Sequence, residues 1–416
     1  MARNLDDWLE NYIKFTQNSE PPRLYHLWTG IVAISSCLQR KCWLGWGHSD
    51  IFPNLYVILV GPSGGRKGTA MKIAKDFLYE IGVQLSSDSL GSIQTLYKEL
   101  MDAYDEFRGE DGLMLNHRSL SVWSEEFQVF LRDRDPMLIA NLTDLFDCPK
   151  RWKYSTLKRG LEDLSSCWLT LFGAITPTLL QSSLSRDAVA GGLISRIVFV
   201  VGYGKAKKVP IPFLSKEEQK LRALLTHDLE QIKQLSGPFR PTEKYVEEYS
   251  KWYVSNEATA GVDSDKFVGY NERRALHLQK LCMIMSASQR DDMLITQEHF
   301  SRALYILKHT EREMPNAFYG LGRGLHSGVL SDLMQYIQAN GTVSWHQIIK
   351  RFQLDALPHE LETYLGSLEQ IGVVKRERST TNKVYFTAIE EKIKEDTEKY
   401  LKDTLFCKLD ENKGEE

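Results

Sequence analysis

The stretch Asn54-Leu55-Tyr56-Val57-Ile58-Leu59-Val60-Gly61-Pro62-Ser63-Gly64-Gly65-Arg66-Lys67-Gly68-Thr69-Ala70 decides the fold. Residues 55–60 form a near-continuous apolar run, the pattern of a parallel strand covered on both faces. A glycine-rich turn follows, and residues 71–81 have helical character. Strand, glycine turn and helix in that order bring backbone N–H groups and a helix N-terminus onto one anion. Against the pattern G-x-x-x-x-G-K-[ST], Gly61 and Lys67 fall in place. Arg66 takes the second glycine position and Gly68 the position of the Mg²⁺-ligand hydroxyl, while Thr69 supplies a hydroxyl one residue late. The bland alternative is a glycine-rich β–α turn with an exposed Arg-Lys pair. The ordered set of strand, glycines, lysine and helix favours a phosphate loop, with Ser63, Gly64 and Gly65 completing its cradle.

Length and composition bound what can surround such a loop. A chain of 416 residues exceeds one ordinary core and predicts two or three domains. With 42% hydrophobic and 26% charged residues, the composition is that of a soluble globular protein. The formal net charge of −3 gives no global attraction to nucleic acid, so any such contact uses local basic patches. Cys37, Cys42, Cys148, Cys167, Cys282 and Cys407 show neither C-x-x-C nor Cys/His ligand spacing, which predicts reduced structural thiols and no zinc site. No signal peptide pattern and no apolar run of membrane-spanning length occur, so the expectation is a cytoplasmic protein outside the membrane.

Upstream of the loop, residues 5–15 and 24–38 read as helices broken at Pro21-Pro22, and 42–46 as a short strand; residues 1–50 form a helical collar. Its aromatic residues Tyr25, Trp28, Trp43 and Trp46 are assigned to packing. Downstream, the pattern predicts a helix over 93–107, a strand over 119–123 and helix over 128–147. Two strands, 152–157 and 165–172, are joined by 158–163, and a buried strand follows at 193–201. Strands alternating with helices after a phosphate loop mean an α/β three-layer core over 51–204. Residues 205–212 read as a linker, and 205–320 as a helical lid or bundle without convincing strands. After the glycine-rich hinge 320–324, residues 321–390 follow the helix, helix-turn-helix and β-wing order of a winged helix, and 391–416 form a charged tail expected to be disordered.

Nucleotide hydrolysis needs a phosphate cradle, a divalent metal, a carboxylate that orients water, and positive charge at the transition state. Lys67 is the candidate for the β- and γ-phosphates, with ATP and Mg²⁺ as the implied ligands. Thr69 and Glu125 are the metal-side candidates, and Glu126 the water-orienting base. The competing reading of Glu125-Glu126 is an acidic first turn of a helix. Thr176 closes a strand where a γ-phosphate sensor would stand, or is a turn residue before proline. Arg196 either caps the sheet edge or reaches a neighbouring subunit's nucleotide as a finger. Arg273 and Arg274 are second-sensor candidates or residues of a solvated helix face.

Together, Pro21-Pro22 with Leu27-Trp28, the loop itself, Glu125-Glu126, Phe172-Gly173-Ala174-Ile175-Thr176-Pro177 and Gly192-Leu193-Ile194-Ser195-Arg196 resemble phage and prophage helicase-type P-loop ATPases, found beside primase modules. The winged helix after a helical lid is similar to the layout of MCM-like AAA+ helicases. The resemblance covers roughly residues 20–320 and implies an AAA+ core working as an oligomeric, hexameric ring, with ATP between subunits and Arg196 acting in trans. The chain departs from the pattern at Arg66 and Gly68, and carries Glu125 where aspartate is more usual.

Two basic groups are candidates for nucleic acid. Lys150, Arg151, Lys153, Lys158 and Arg159 cluster on the expected hairpin, either tracking phosphates inside a ring or forming an ordinary charged surface. In the winged helix, Glu360, Glu362 and Glu369 would repel a phosphate-lined groove, whereas Lys375, Arg376, Arg378 and Lys383 make the wing basic. Backbone contact through the wing, or a protein–protein role, is expected over base readout. The leading expectation is an ATP-dependent DNA motor or helicase of a mobile element, acting on single-stranded or forked DNA in replication beside a primase or other partner. The alternatives are an ATP-switched initiator or helicase loader that does not unwind DNA, and a defence or partner-binding ATPase.

Overall fold

The protein is described here from a computed structural model covering residues 2–86, 90, 92–109, 112–130, 136–156, 160–183, 192–318, 327–353, 355–370, 373–378 and 383–389. The chain opens with helices α1 (Trp8–Phe15) and α2 (Arg23–Leu38), then strands β1 (Cys42–Trp46), β2 (Ser49–Ile51) and β3 (Tyr56–Val60), and helix α3 (Lys67–Glu80). Strands β4 (Tyr104–Arg108), β5 (Met114–Ser124), β6 (Arg151–Thr156), β7 (Gly160–Ser165), β8 (Cys167–Ile175) and β9 (Ile197–Val201) follow. Two short strands, β10 (Gly237–Pro241) and β11 (Leu294–Ile295), lie among the later helices. A last group comprises β12 (Thr342–Ser344), β13 (Val374–Arg378) and β14 (Val384–Ala388). Residues 1–318 make one compact unit and 319–416 a second.

The first unit is built on a five-stranded sheet in the order β4-β5-β8-β3-β9. Every residue of β3, β8 and β9 is buried, which is why their sequences read as unbroken apolar runs instead of alternating ones. β5, β8, β3 and β9 are parallel, with Ser124 beside Gly173, Ile58 beside Gly173, and Val60 beside both Ile175 and Val201. Their C-terminal ends therefore share one edge. The period of two along a strand puts Val57, Phe172 and Trp123 on one face and Tyr56, Ile58 and Gly173 on the other. α2 covers the first face, where the Trp123 indole donates to Ser36 Oγ. Phe127 and the helix Pro136–Phe146 cover the second: Tyr56 Oη donates 2.8 Å to Leu142 O, and a Cβ on Gly173 would lie 2.8 Å from the Phe127 ring. The result is a mixed α/β sheet with helices on both faces.

Several sequence-based boundaries shift. The helix expected over 93–107 stops at Asp102, and Tyr104–Arg108 becomes β4, antiparallel to the start of β5. Cross-strand pairing there outweighs a local helical pattern. The expected strand pair 152–157 and 165–172 is instead a β6–β7 hairpin, Arg151 opposite Ser165, followed by the separate buried strand β8. The region expected to be purely helical after residue 205 contributes β10 and β11, which extend the collar strands into a four-stranded sheet, β11-β10-β1-β2. The collar is thus woven into the later helices. Trp8 donates to Leu225 O and Trp28 to Thr310 Oγ1, while Asp7 pairs with Arg302, so the collar aromatics Tyr25 and Trp28 are core residues.

The second unit packs the helices Ser327–Asn340, Trp345–Phe352 and Pro358–Gln370 with the antiparallel sheet β12-β14-β13. Its core includes Leu333, Ile337, Ile348, Leu361 and Phe386. Ser344 and Gln347 form a capping box that starts the middle helix. The hinge 320–324 and the tail 391–416 lie outside the described residues.

Candidate functional site

The site begins where β3 ends. Gly61 N donates 3.2 Å to Ile175 O, tying the loop to the end of β8. A Cβ on Gly61 would meet Tyr25 Oη at 2.3 Å and Gly202 O at 2.5 Å, so only glycine fits between the sheet edge and α2. Gly65 N closes a turn on Pro62 O at 3.1 Å, and Gly64 and Arg66 take positive φ, +76° and +61°. The chain then enters α3 at Lys67, with no side chain capping the helix. Ala70 N bonds Arg66 O, and the N–H groups of residues 67–69 precede the intrahelical ladder. These donors and the helix dipole face one place, which suits an anion.

Lys67 Nζ donates to Gly61 O at 2.6 Å and Pro62 O at 2.8 Å. Both acceptors are neutral carbonyls, and burial lowers its pKa to about 8. The loop therefore curls around a cation held by backbone oxygens.

Acid enters from β5. Glu125 follows its last residue, and the shared strand edge brings it to α3. A Cβ on Gly68 would lie 2.7 Å from Glu125 Oε2, so the carboxylate fills the space beside the position where the motif has a hydroxyl. Lys75 Nζ, one side of α3 further along, sits 3.3 Å from Glu125 Oε1. Glu126 is exposed beside it, as are Ser63, Gly64 and Thr69. Thr176 is half-buried at the end of β8 and accepts from Leu179 N at 3.4 Å as the cap of the helix Pro177–Ser183. Lys67, Glu125 and Thr176 thus gather at the carboxyl ends of β3, β5 and β8, where the chain's strand order reverses direction and ligands of open α/β sheets bind. Mg²⁺ takes one or two protein carboxylates with water and phosphate oxygens, and Glu125 fits that role with a single carboxylate. Among the described residues, no group of three or more His, Cys, Asp or Glu could hold a metal without help from a ligand.

The three arginine candidates lie away from this chain's own loop. Arg196 precedes β9, whose start pairs with Tyr56, so it stands at the opposite end of the sheet from the loop. It is 6% exposed, with Nη2 3.0 Å from Asp147 Oδ2 and Nη1 donating to Gly192 O at 3.1 Å. These two bonds hold its guanidinium at the base of β9. Arg273 donates to Ser195 Oγ at 3.0 Å at that same end, and Arg274 is buried against Glu311 at 2.6 Å. Both fasten the helix Val268–Gln289 instead of sensing the loop. A cavity of about 270 Å³ also lies at this end, lined by Asp50, Phe146, Asp147 and Lys280 among others. Lys280 Nζ is already satisfied by Phe52 O and Asn54 Oδ1.

The basic patches are partly neutralised. Lys150, Arg151 and Lys153 are exposed on β6 and just before it, but Arg151 pairs with Asp163, which also stands opposite Lys153. Lys158 and Arg159 lie outside the described residues. On the wing, Lys375 pairs with Glu377 at 2.9 Å, and Arg376 reaches Glu362 and Glu369 at 3.5 and 3.6 Å. Arg378 and Lys383 are exposed.

Sequence reasoning missed three residues at the loop. Tyr25 Oη donates 2.8 Å to Val60 O from beneath Gly61. Glu20 pairs with Arg66 at 2.6 Å and with Lys205 at 3.0 Å. Lys75 holds Glu125. Only Glu20 carried a signal, as the acid before the Pro21-Pro22 break. Compared with protein-family models and with curated proteins, the sequence gives no match.

Proposed function

We propose that this chain binds ATP with Mg²⁺ in the loop 61–69 and hydrolyses it, as an AAA+ type P-loop ATPase with a helical lid and a C-terminal winged helix. The observation that carries the reading is the convergence of Lys67, the uncapped start of α3 and Glu125 at one sheet edge. Lys67 would exchange its two carbonyl partners for phosphate oxygens. Glu125 would hold Mg²⁺, which when bound supplies charge neutralisation across the phosphates. Glu126 would orient the attacking water, and Thr176 would face the terminal phosphate. The strand order β4-β5-β8-β3-β9, with the acidic strand one removed from the loop strand, supports a common site for the two motifs.

The finer role follows from the family resemblance: an oligomeric ring motor or helicase acting on DNA in the replication of a phage or other mobile element. One observation favours the switch reading instead. Arg196, Arg273 and Arg274 are all engaged inside their own unit, so no arginine among them is free to speed hydrolysis. Slow turnover with ATP-controlled assembly fits an initiator or loader. The deciding experiment measures ATP binding, DNA-stimulated ATPase and strand displacement on one preparation. Strand displacement driven by ATP supports the motor, ATP-dependent assembly without it supports the switch, and absence of any ATP binding overturns both.

A further inference from the structure

The loop carries a residue its geometry does not favour. Arg66 sits at φ +61° and ψ 25°, left-handed backbone in which a glycine rests without strain. Its Nε lies 2.6 Å from Glu20 Oε2. Glu20 is itself a junction: Lys205 Nζ is 3.0 Å away, Val209 N donates to Oε1 at 3.4 Å, and Ala206 N donates to its backbone oxygen at 2.9 Å. One carboxylate thus serves two cations, leaving a positive charge in excess beside the start of α3. The Arg66 side chain is 47% exposed, so its pair is screened and readily exchanged.

We propose that Glu20 is a latch on the glycine loop: it holds Arg66 while the loop is empty, and a polyphosphate seated there takes the guanidinium from it. The inference rests on the nucleotide reading above. Arginine presents a planar fork that matches phosphate oxygens, so the exchange replaces one charge-assisted pair by another. Glu20 is not orphaned by the loss, because Lys205 and Val209 N–H remain on it. Arg66 meets Glu20, whereas a Cβ on Gly68 would meet Glu125, so the two positions face different carboxylates. Arg66 is therefore a binding residue for the part of the nucleotide that does not react, and it acts on affinity more than on turnover.

The test titrates ATP and adenosine into the full-length protein and its variants. Arg66→Gly removes the guanidinium and relaxes the left-handed backbone, so folding is not at risk; melting curves check this and Glu20→Gln. Arg66→Gly should weaken ATP about tenfold. Glu20→Gln should tighten ATP about threefold. The double variant should match Arg66→Gly alone, and adenosine affinity should not move. The latch is overturned if Glu20→Gln has the same effect with and without Arg66, or if Arg66→Gly leaves ATP affinity unchanged. Failure of the underlying reading looks different: wild-type protein takes up no ATP, or Lys67→Ala binds it as wild type does.

Discussion

Gly68 is where the loop departs most from a standard phosphate loop, and its surroundings explain how the departure is tolerated. The Glu125 carboxylate stands 2.7 Å from where a Cβ would be, so a side chain at 68 and this rotamer of Glu125 exclude each other. The carboxylate is the end of a flexible side chain, 47% exposed, and it can give way. Gly68→Ala should therefore raise helix stability by about 0.5–1 kcal/mol in thermal melts while lowering Mg²⁺-dependent turnover. A melt and an ATPase assay on one sample check both halves. Gly61 is the opposite case, because the atoms it would meet are Tyr25 Oη and the backbone oxygen of Gly202. Gly61→Ala should cost about 1–3 kcal/mol of unfolding free energy in denaturant titration. Lys67 adds a pH signature. Its pKa is lowered to about 8, so the ammonium that phosphate needs is present below that pH and lost as pH rises through it. ATP affinity should be flat up to about pH 7 and fall above about pH 8, and calorimetry in buffers of different ionisation heat should detect proton uptake on binding near the pKa. Glu126→Gln should bind ATP without turning it over; wild-type turnover would remove Glu126 from the mechanism.

At the scale of elements, buried arginines tie two of the later helices together and hold the base of β9. Arg274 and Glu311 are 1% and 2% exposed and link the helix Val268–Gln289 to Gln297–Glu313. Arg274→Ala would leave the Glu311 carboxylate buried without a cation, held only by Tyr270 Oη, at a cost of about 3–5 kcal/mol in unfolding free energy. Arg196→Ala should likewise lower the melting temperature through the loss of its bonds to Asp147 and Gly192. A finger would instead lose turnover with an unchanged melt, so the two readings separate in one experiment. These pairs were hidden from sequence reasoning because a charged residue in a helix pattern looks the same solvated or buried. Desolvation is decided by what packs above it.

For the molecule as a whole, the two compact units make a truncation informative. Residues 1–318 contain the loop, Glu20, Tyr25, Glu125 and Thr176 within one unit. Expressed alone, they should keep the ATP affinity of the full chain, as measured by direct titration. A large loss would mean that the second unit contributes to the site. Among the described residues no helix is long and apolar enough to cross a membrane.

The sequence by itself determined the elements whose burial is uniform or whose caps are local. β3 and β9 were legible as apolar runs, most of β8 lay within the expected strand 165–172, and the loop was legible from its glycines and lysine. Lys67 and the Glu125-Glu126 pair were legible as candidates for the same reason: residue type and order along one chain. Tertiary structure alone decided β4, β10 and β11, whose partners lie far along the chain. It alone placed Arg196, Arg273 and Arg274 away from the loop, and Glu20 and Tyr25 against it. Local propensity and pattern are properties of neighbours in sequence. Strand pairing, desolvation and the meeting of charges depend on neighbours in space, and these turn a glycine-rich turn into a cradle with a carboxylate on either side.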